Sequence, residues 1–444
     1  MRTWVQANNK LHRLAAVSAI CGCIAAGCSN GSAGPPAGSG AEGGGKQPEE
    51  SVKPVTLNIF NTRPEVSSNW EQLLVEPLKK KYPHITIQEV KGKLNEVIAS
   101  GTAIDAYITA EVDLGDYIQA GYTDNIEPYM QAHKMDSNRF DPVVIQTIRG
   151  RSAGSKELFG LPFYLQFTAL YYNKDIFNAA GVPYPKDGMT WEEAVELGRK
   201  VSFSRDGVQY LGIRTDQVGR LAAPFGLMPV DTATDRASVN NEQFKRVFEL
   251  SQQIFALPGN RPANAKEVNT NPTNKFTKDK VLAMYHSVNR FSTLKSSDVN
   301  WDLAQAPFYP DRPNIGSVVD AFMIGIAKTS AHKSDAFKVI EVFTSDEVQL
   351  YAARALGYVS PLVHPKLQEQ YGAELGFLQG KHLQAVFKSK NLPNAPLSVY
   401  HTAAQTILFE EHGKYIMGQM DANTALRTID EKINQKIAEL KAGK

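Results

Sequence analysis

Few residues in this chain are placed to do covalent chemistry. Its three cysteines, Cys21, Cys23 and Cys28, all lie close to the N-terminus. A later cysteine nucleophile, disulfide or thiolate zinc site is therefore impossible. The nine histidines show no H-E-x-x-H or comparable ligand spacing, so the sequence calls for no metal and no cofactor. Gly150-Arg151-Ser152-Ala153-Gly154 spells G-x-S-x-G, but a nucleophile elbow needs a strand before its serine. Residues 142–148 read as helix instead, so the motif is placed in a surface loop and no catalytic residue is assigned. Gly38-Ser39-Gly40-Ala41-Glu42-Gly43 spells G-x-G-x-x-G, yet both its flanks are low-complexity, and the motif has meaning only between a strand and a helix. The carboxylate neighbours Glu111 with Asp113 and Glu410 with Glu411 keep one enzyme class open, a secreted carbohydrate-active hydrolase.

The elements that would position any site come from a chain of 444 residues, 42% hydrophobic and 21% charged, with a net charge of +2. That length suits two domains or two lobes, and the composition is that of a folded protein. The near-zero charge supplies no field for a nucleic-acid backbone, so no nucleic-acid partner is expected.

The N-terminus reads as an address. Arg2, Lys10 and Arg13 form a basic start, and residues 14–27 (LAAVSAICGCIAAG) are an apolar or small stretch. This is too short for a membrane span and suits the core of a signal peptide, here residues 1–27. The stretch ends in Ala25-Ala26-Gly27-Cys28, which resembles a bacterial lipobox whose cysteine receives a diacylglyceryl group. Cys28 is thus the expected lipid attachment site, with Cys23 a weaker competitor and a plain secretory signal the alternative. Residues 28–51 form a Gly/Ser/Pro linker; twelve of the seventeen residues 29–45 are Gly, Ser or Pro, the composition of a flexible tether. Removing residues 1–27 takes away three bases and no acid, leaving a net charge of −1.

From residue 55 onward, β-rich runs alternate with helical patterns. Residues 55–61 and 85–90 and the run 103–109 read as strands, and 65–81, 94–100 and 114–130 as helical. Such alternation with short connections implies parallel β-α-β units and an α/β fold. Thr190-Trp191-Glu192-Glu193 is a capping box, and Thr344-Ser345-Asp346-Glu347 repeats its pattern. Ala336, Val339, Ile340 and Phe343 form one apolar helical stripe, and the series Ala422, Ala425, Leu426, Ile429, Ile433, Ile437 and Leu440 forms another.

The ordered motifs Phe159-Gly160-Leu161-Pro162-Phe163-Tyr164, Tyr171-Tyr172-Asn173-Lys174-Asp175-Ile176-Phe177, Ala180-Gly181-Val182-Pro183 and Thr190-Trp191-Glu192-Glu193 resemble family 1 extracellular solute-binding proteins. These are the maltose-binding-protein-like receptors of ABC importers. Val281-Leu282-Ala283-Met284, the run 321–330 and Gly357-Tyr358-Val359-Ser360-Pro361 continue the resemblance, which covers the chain from about residue 52. It implies a two-lobed periplasmic-binding-protein fold of type II, with three hinge crossings near residues 162–165, 320–323 and 358–362. Lobe 1 would be 52–164 with 321–358, and lobe 2 would be 165–320 with 359–444. The implied function is that of a monomeric, lipid-anchored receptor on the extracytoplasmic face of the cell membrane. It would bind a sugar or oligosaccharide between its lobes and deliver it to ABC permease subunits.

Sugars call for aromatic faces and planar polar side chains at strand carboxyl ends between lobes. On that ground the ligand-binding candidates are Asn61, Arg63 and Trp70, then Glu111 and Asp113, then Tyr164 and Gln166 near the first crossing. In the second lobe they are His286, Arg290 and Phe291, with Asp320 at the second crossing. Trp70 lies in the apolar stripe of its helix, where core packing is an equal reading. Arg290-Phe291 stands where the family often has a stacking tryptophan, so Arg290 faces either an acidic sugar or a carboxylate of the protein. By chain position, Tyr164 and Phe291 are the aromatics expected to face each other across a solvent-filled cleft.

Overall fold

A computed structural model describes residues 53–151 and 155–443. The signal peptide, Cys28, the linker and Ser152 of the G-x-S-x-G motif lie outside the described residues. In chain order the principal strands are β1 (Val55–Asn61), β2 (Ile85–Val90), β3 (Ala106–Ala110), β4 (Leu161–Leu165), β5 (Thr168–Asn173), β6 (Leu211–Thr215), β7 (Leu282–Val288), β8 (Trp301–Gln305), β9 (Ile315–Val318), β10 (Ala321–Ile326) and β11 (Lys390–Leu392).

Most of them build two separate sheets, while β9 and β11 pair with each other apart from both. The first sheet runs β2-β1-β3-β10-β4 and the second β8-β5-β7-β6. In the first, β1 pairs parallel with both β2 and β3, while β10 runs antiparallel to β3 and β4. The parallel part is the β-α-β alternation read from the sequence. The antiparallel β10 follows every strand of the second sheet in the chain and returns to complete the first. In the second sheet β7 is parallel to β6 and antiparallel to β5.

Each sheet anchors its own lobe. Leu57, Ile59, Phe60, Ile108 and Ile324 sit in one core, and Leu170, Ile213, Met284, Phe248 and Ile429 in another. Along β5 the side chains alternate between them: Ala169 and Tyr171 join the first core, Leu170 and Tyr172 the second. This is the period of two expected of a strand covered on both faces. The C-terminal stripe packs as read, with Ala425, Leu426, Ile429, Ile433 and Ile437 buried on the helix Ala422–Ala442, although Leu440 at its end is exposed.

The chain leaves the first sheet at Leu165 and enters the second at Thr168. Three segments meet there: the Leu165 amide donates to the Val359 carbonyl at 2.8 Å, and the Gln166 amide to the Asp320 carbonyl at 2.8 Å. Gly357 opens the third segment at φ +67°, and an added Cβ would lie 3.1 Å from Leu375 and 3.3 Å from Phe291. A left-handed residue with no side chain is what this turn requires.

Local expectations fail where backbone chemistry intervenes. The run 65–81 is not one helix: Pro64–Ser67 forms a single turn, Glu71–Val75 is a π-helical turn, and Glu76–Lys81 resumes the α-helix with Pro77 near its start. The run 114–130 splits into Leu114–Gln119 and Glu127–Ala132, interrupted by Gly121 at φ +66°. Thr190 forms the predicted capping box with Glu193. At the second site Ser345 is the N-cap and accepts from the Val348 amide, while the Thr344 hydroxyl donates back to the Ile340 carbonyl of the preceding helix.

Candidate functional site

Residues just past the carboxyl ends of β3, β6 and β7, namely Glu111, Gln217 and Asn289, line the cleft between the lobes. Two chambers lie along it. One, of about 440 Å³, is lined by Glu65, Asn69, Tyr164, Gln166, Asn289, Phe291 and Tyr358 among others. The second, of about 260 Å³, includes Glu111, Arg151, Arg220, Asp320, Asn394 and His401.

After β1 the chain turns, and Asn61 holds the turn. Its side chain accepts from the Arg63 amide at 2.8 Å and donates to Glu89 Oε1 at 2.7 Å. Asn61 is only 4% exposed, so its role is to aim Arg63. The Arg63 guanidinium donates to Asp113 Oδ2 at 3.0 Å and lies 5.0 Å from the centre of the Phe322 ring. Asp113 stays partly open, with its carboxyl raised by desolvation against the pull of Arg63. Trp70 is half-buried against the first core and lines neither chamber.

Glu111, directly after β3, is buried with Arg151. Arg151 Nε donates to Glu111 Oε2 at 2.6 Å, and each side chain is 4% exposed. Arg151 Nη1 also donates to the Ala395 carbonyl at 2.7 Å, and Asn394 Nδ2 donates to Glu111 Oε1 at 2.8 Å. Burial raises the Glu111 carboxyl, and Arg151 opposes that shift. The pair clamps the segment around Asn394 onto the first lobe.

At the hinge, Tyr164 stacks on Tyr358, ring centres 4.3 Å apart at 22°. Its hydroxyl accepts from Asn289 Nδ2 at 3.1 Å and donates to Gln166 Oε1 at 3.3 Å. Asn289 follows β7 of the second sheet, so this bond joins the two lobes. Tyr358 in turn donates to the Glu65 carbonyl at 3.1 Å. The Asp320 carboxylate lies 4.0 Å from Arg220 Nη1 and keeps 36% side-chain exposure. Enclosure by the cleft floor raises its pKa, with Arg220, Arg63 and Arg151 opposing.

Two candidates in the second lobe turn inward. His286 is 1% exposed; its Nδ1 lies 3.1 Å from Thr215 Oγ1, and its ring meets Trp191 edge to face at 4.8 Å. Desolvation lowers it to about 4, a neutral core histidine. Arg290 takes the protein-carboxylate alternative: Nη2 donates to Asp216 Oδ1 at 3.0 Å and Nε to Ser287 Oγ at 2.8 Å. Phe291 begins the helix Phe291–Leu294 and is 4% exposed, packed by Phe167 at 5.4 Å and Trp301 at 5.9 Å. Tyr164 is equally covered. Neither ring stands free in solvent as their chain positions implied, because Tyr358 covers one and Tyr371 and Phe377 help to cover the other.

The structure places Glu111 and Asp320 on the wall of the smaller chamber and Tyr164, Gln166 and Phe291 on that of the larger, while the Arg63–Asp113 pair, like Trp70, lines neither. It adds Arg151, Arg220, Tyr358 and Asn394, which were not among the sequence candidates. Only Tyr358 carried a signal, through the Gly357–Pro361 motif at the third crossing. Among the described residues, no group of three or more His, Cys, Asp or Glu side chains could hold a metal ion. No helix among them is long and apolar enough to cross a membrane.

Two α/β lobes joined by three segments, with a polar cleft between them, define a periplasmic-binding-protein fold. Solved structures share it. A sugar transporter from Rhizobium etli in an open conformation superposes with a TM-score of 0.70 at 20% identity, covering 85% of this chain and 99% of the other. An ABC substrate-binding protein from Listeria monocytogenes in complex with cycloalternan gives 0.67 at 17% identity, covering 87% and 100%. The model of the bacterial extracellular solute-binding protein family matches residues 74–370, and the chain belongs to that family. Its proteins are binding proteins rather than enzymes, which removes the hydrolase alternative. Relatives include the sn-glycerol-3-phosphate-binding periplasmic protein UgpB of Rhizobium meliloti, 24% identical over 307 residues (63% of this chain, 68% of the relative). The protein of the same name from Brucella melitensis is 24% identical over 335 residues (69% and 73%).

Proposed function

We propose that this chain is the receptor of an ABC importer and binds a neutral sugar, oligosaccharide or polyol between its lobes. It hands the ligand to membrane permease subunits while held at the extracytoplasmic face through a lipid on Cys28. Lobe 1 comprises 52–164 with 321–358, and lobe 2 comprises 165–320 with 359–444.

The charge balance of the cleft carries the ligand class. Each arginine beside the two chambers faces a carboxylate, Arg63 with Asp113 at 3.0 Å, Arg151 with Glu111 at 2.6 Å and Arg220 with Asp320 at 4.0 Å, and the larger chamber adds one charge of each sign in Lys295 and Glu65. A phosphate or carboxylate ligand is best held by guanidinium groups that are not already matched. A neutral polyol instead uses alternating donors and acceptors, which paired Arg and Asp side chains supply together with the amides of Gln166, Asn289 and Asn69.

A second reading, a phosphorylated polyol, is favoured by the names of the UgpB relatives. A thermal-shift panel of neutral sugars, sugar alcohols and sn-glycerol 3-phosphate separates the two, because a ligand of the native state raises the melting temperature by mass action. The neutral reading expects a shift with at least one neutral sugar or polyol and none with the phosphate ester. The reverse pattern would replace it with the second reading.

A further inference from the structure

We propose that Gln166 meets the ligand as a hydrogen-bond donor, and that Tyr164 and Asn289 are the positioning residues that fix this polarity. The inference rests on the sugar or polyol reading above and deepens it, naming the group that recognises a ligand oxygen in the larger chamber.

A side-chain amide can face a ligand with its carbonyl oxygen or with its NH2 group, and its other partners decide which. For Gln166 the decision starts at a backbone group of the second lobe. The Phe291 amide, at the start of the helix Phe291–Leu294, donates to Asn289 Oδ1 at 2.9 Å. A backbone N–H can only donate, so the oxygen of Asn289 faces it and the NH2 faces away. That NH2 donates to the Tyr164 hydroxyl at 3.1 Å. The Tyr164 oxygen therefore accepts on that side, and its own proton goes to Gln166 Oε1 at 3.3 Å. Tyr164 is 4% exposed, and burial pushes its hydroxyl above the ordinary value, so the proton stays in place and needs an acceptor. If the Gln166 amide were turned over, two NH2 groups would face one phenolic oxygen and the buried proton would lose the acceptor it has. Gln166 Oε1 is thus committed to Tyr164, and Nε2 is left as a donor.

The amide end of Gln166 lies on the chamber side. Its partner Tyr164, and Asn289 behind that, both line the larger chamber, and neither lines the cavity behind the crossings that Gln166 also borders. The Gln166 backbone is pinned as well, its N–H donating to the Asp320 carbonyl at 2.8 Å. The other amides of the chamber are more fully used. Asn69 Nδ2 donates to the Glu65 carbonyl at 2.8 Å, and Asn289 is bonded through both its oxygen and its nitrogen. Among the described residues Gln166 Nε2 has no hydrogen-bond partner. Both its N–H groups are open to a ligand acceptor: a hydroxyl, ring or glycosidic oxygen. The relay runs from the second lobe to the first, so contact between the lobes sets the polarity that the ligand meets.

Titration calorimetry with glucose, galactose, mannose, maltose, trehalose and mannitol tests this through double-mutant cycles. Gln166→Ala is expected to weaken whichever of them binds by about tenfold. Gln166→Glu keeps an acceptor for Tyr164 but replaces the donor by an oxygen, and is expected to bind no better than Gln166→Ala. Tyr164→Phe frees the amide to turn over, and Asn289→Asp draws the Tyr164 proton to itself and turns the amide over. Each is expected to cost about threefold or more with Gln166 in place, and to cost nothing further in the Gln166→Ala background. A hydroxyl or amide that merely stiffens the hinge would cost the same affinity in both backgrounds, which would overturn the proposal and leave the sugar reading standing. Undiminished binding by Gln166→Ala or Gln166→Glu would also overturn it, since an ionised carboxylate can only accept. Absence of binding by every sugar and polyol of the set would overturn the sugar reading and this proposal with it.

Discussion

Replacing Arg151 by Met should destabilise the protein by about 3–5 kcal/mol, the range for breaking a buried ion pair by removing one partner. The structure supports a value inside that range. Both side chains are 4% exposed, and their contact is 2.6 Å. Without Arg151, Glu111 keeps only the Asn394 amide as a hydrogen-bond partner among the described residues, and the Ala395 carbonyl loses the Arg151 donor. Urea unfolding followed by tryptophan fluorescence measures the loss. The deficit should also depend on pH with a definite sign. Burial already raises the Glu111 carboxyl above its ordinary value, and loss of Arg151 raises it further. A carboxyl raised in the folded state favours folding at low pH and loses that contribution as pH rises through its folded pKa. The Arg151→Met deficit is therefore largest near neutrality and shrinks on acidification, once Glu111 takes up a proton. The double variant Glu111→Leu/Arg151→Met should recover most of the loss, since it leaves no unpaired charge in the interior. A deficit below about 1 kcal/mol, or one that does not change between pH 7 and pH 4.5, would refute this reasoning.

Two further outcomes follow from the same geometry, and a third from the sequence around Cys28. His286 and His412 are each 1% exposed, and desolvation lowers them from 6.5 to about 4 and about 3. Their contribution is fully present above pH 6.5 and is lost as pH falls; His286 alone accounts for about 3 kcal/mol by pH 4, and His412→Gln should flatten the acid limb of a stability–pH curve. Tyr164→Phe loses one hydroxyl that joins the lobes, about 0.5–1.5 kcal/mol, while Tyr164→Ala removes a buried ring and costs about 3–5 kcal/mol, both read by urea unfolding. Cys28→Ala should abolish lipid labelling and membrane retention; retention with normal processing would move the attachment to Cys23.

Much of the scaffold was legible because local pattern and tertiary role agree. Alternation in residues 85–90, the Thr190–Glu193 box and the C-terminal apolar stripe each read correctly from spacing alone. The helical runs that broke did so after Ser67, with a π-turn just ahead of Pro77, and at Gly121, where backbone chemistry overrides an apolar period. For the site, the polar residues directly after apolar strands have unequal places: Glu111 is on the wall of the smaller chamber, while Arg63 pairs with Asp113 outside both chambers. Distance along the chain hid the rest. Nothing near residue 164 announces that Tyr358 stacks on its ring, and nothing near residue 291 announces Tyr371 and Phe377. Arg151 and Asn394 are far apart in the chain and meet only through Glu111 and the backbone around it. His286 follows an apolar strand as Arg63 does, yet it lies within β7 beneath Trp191, and spacing does not separate a strand's last residues from the loop that follows.

The central claim, that a neutral polyhydroxyl ligand occupies the cleft between the lobes, is tested most directly by a crystal structure of the protein with the sugar or polyol that gives the largest thermal shift. The account predicts density for that ligand among Arg63, Asp113, Gln166, Asn289 and Asp320, with hydroxyl groups within hydrogen-bonding distance of these side chains. Density outside the cleft, for example in the cavity behind the crossings lined by Val144, Phe167 and Leu362, with the cleft itself holding only solvent, would contradict it.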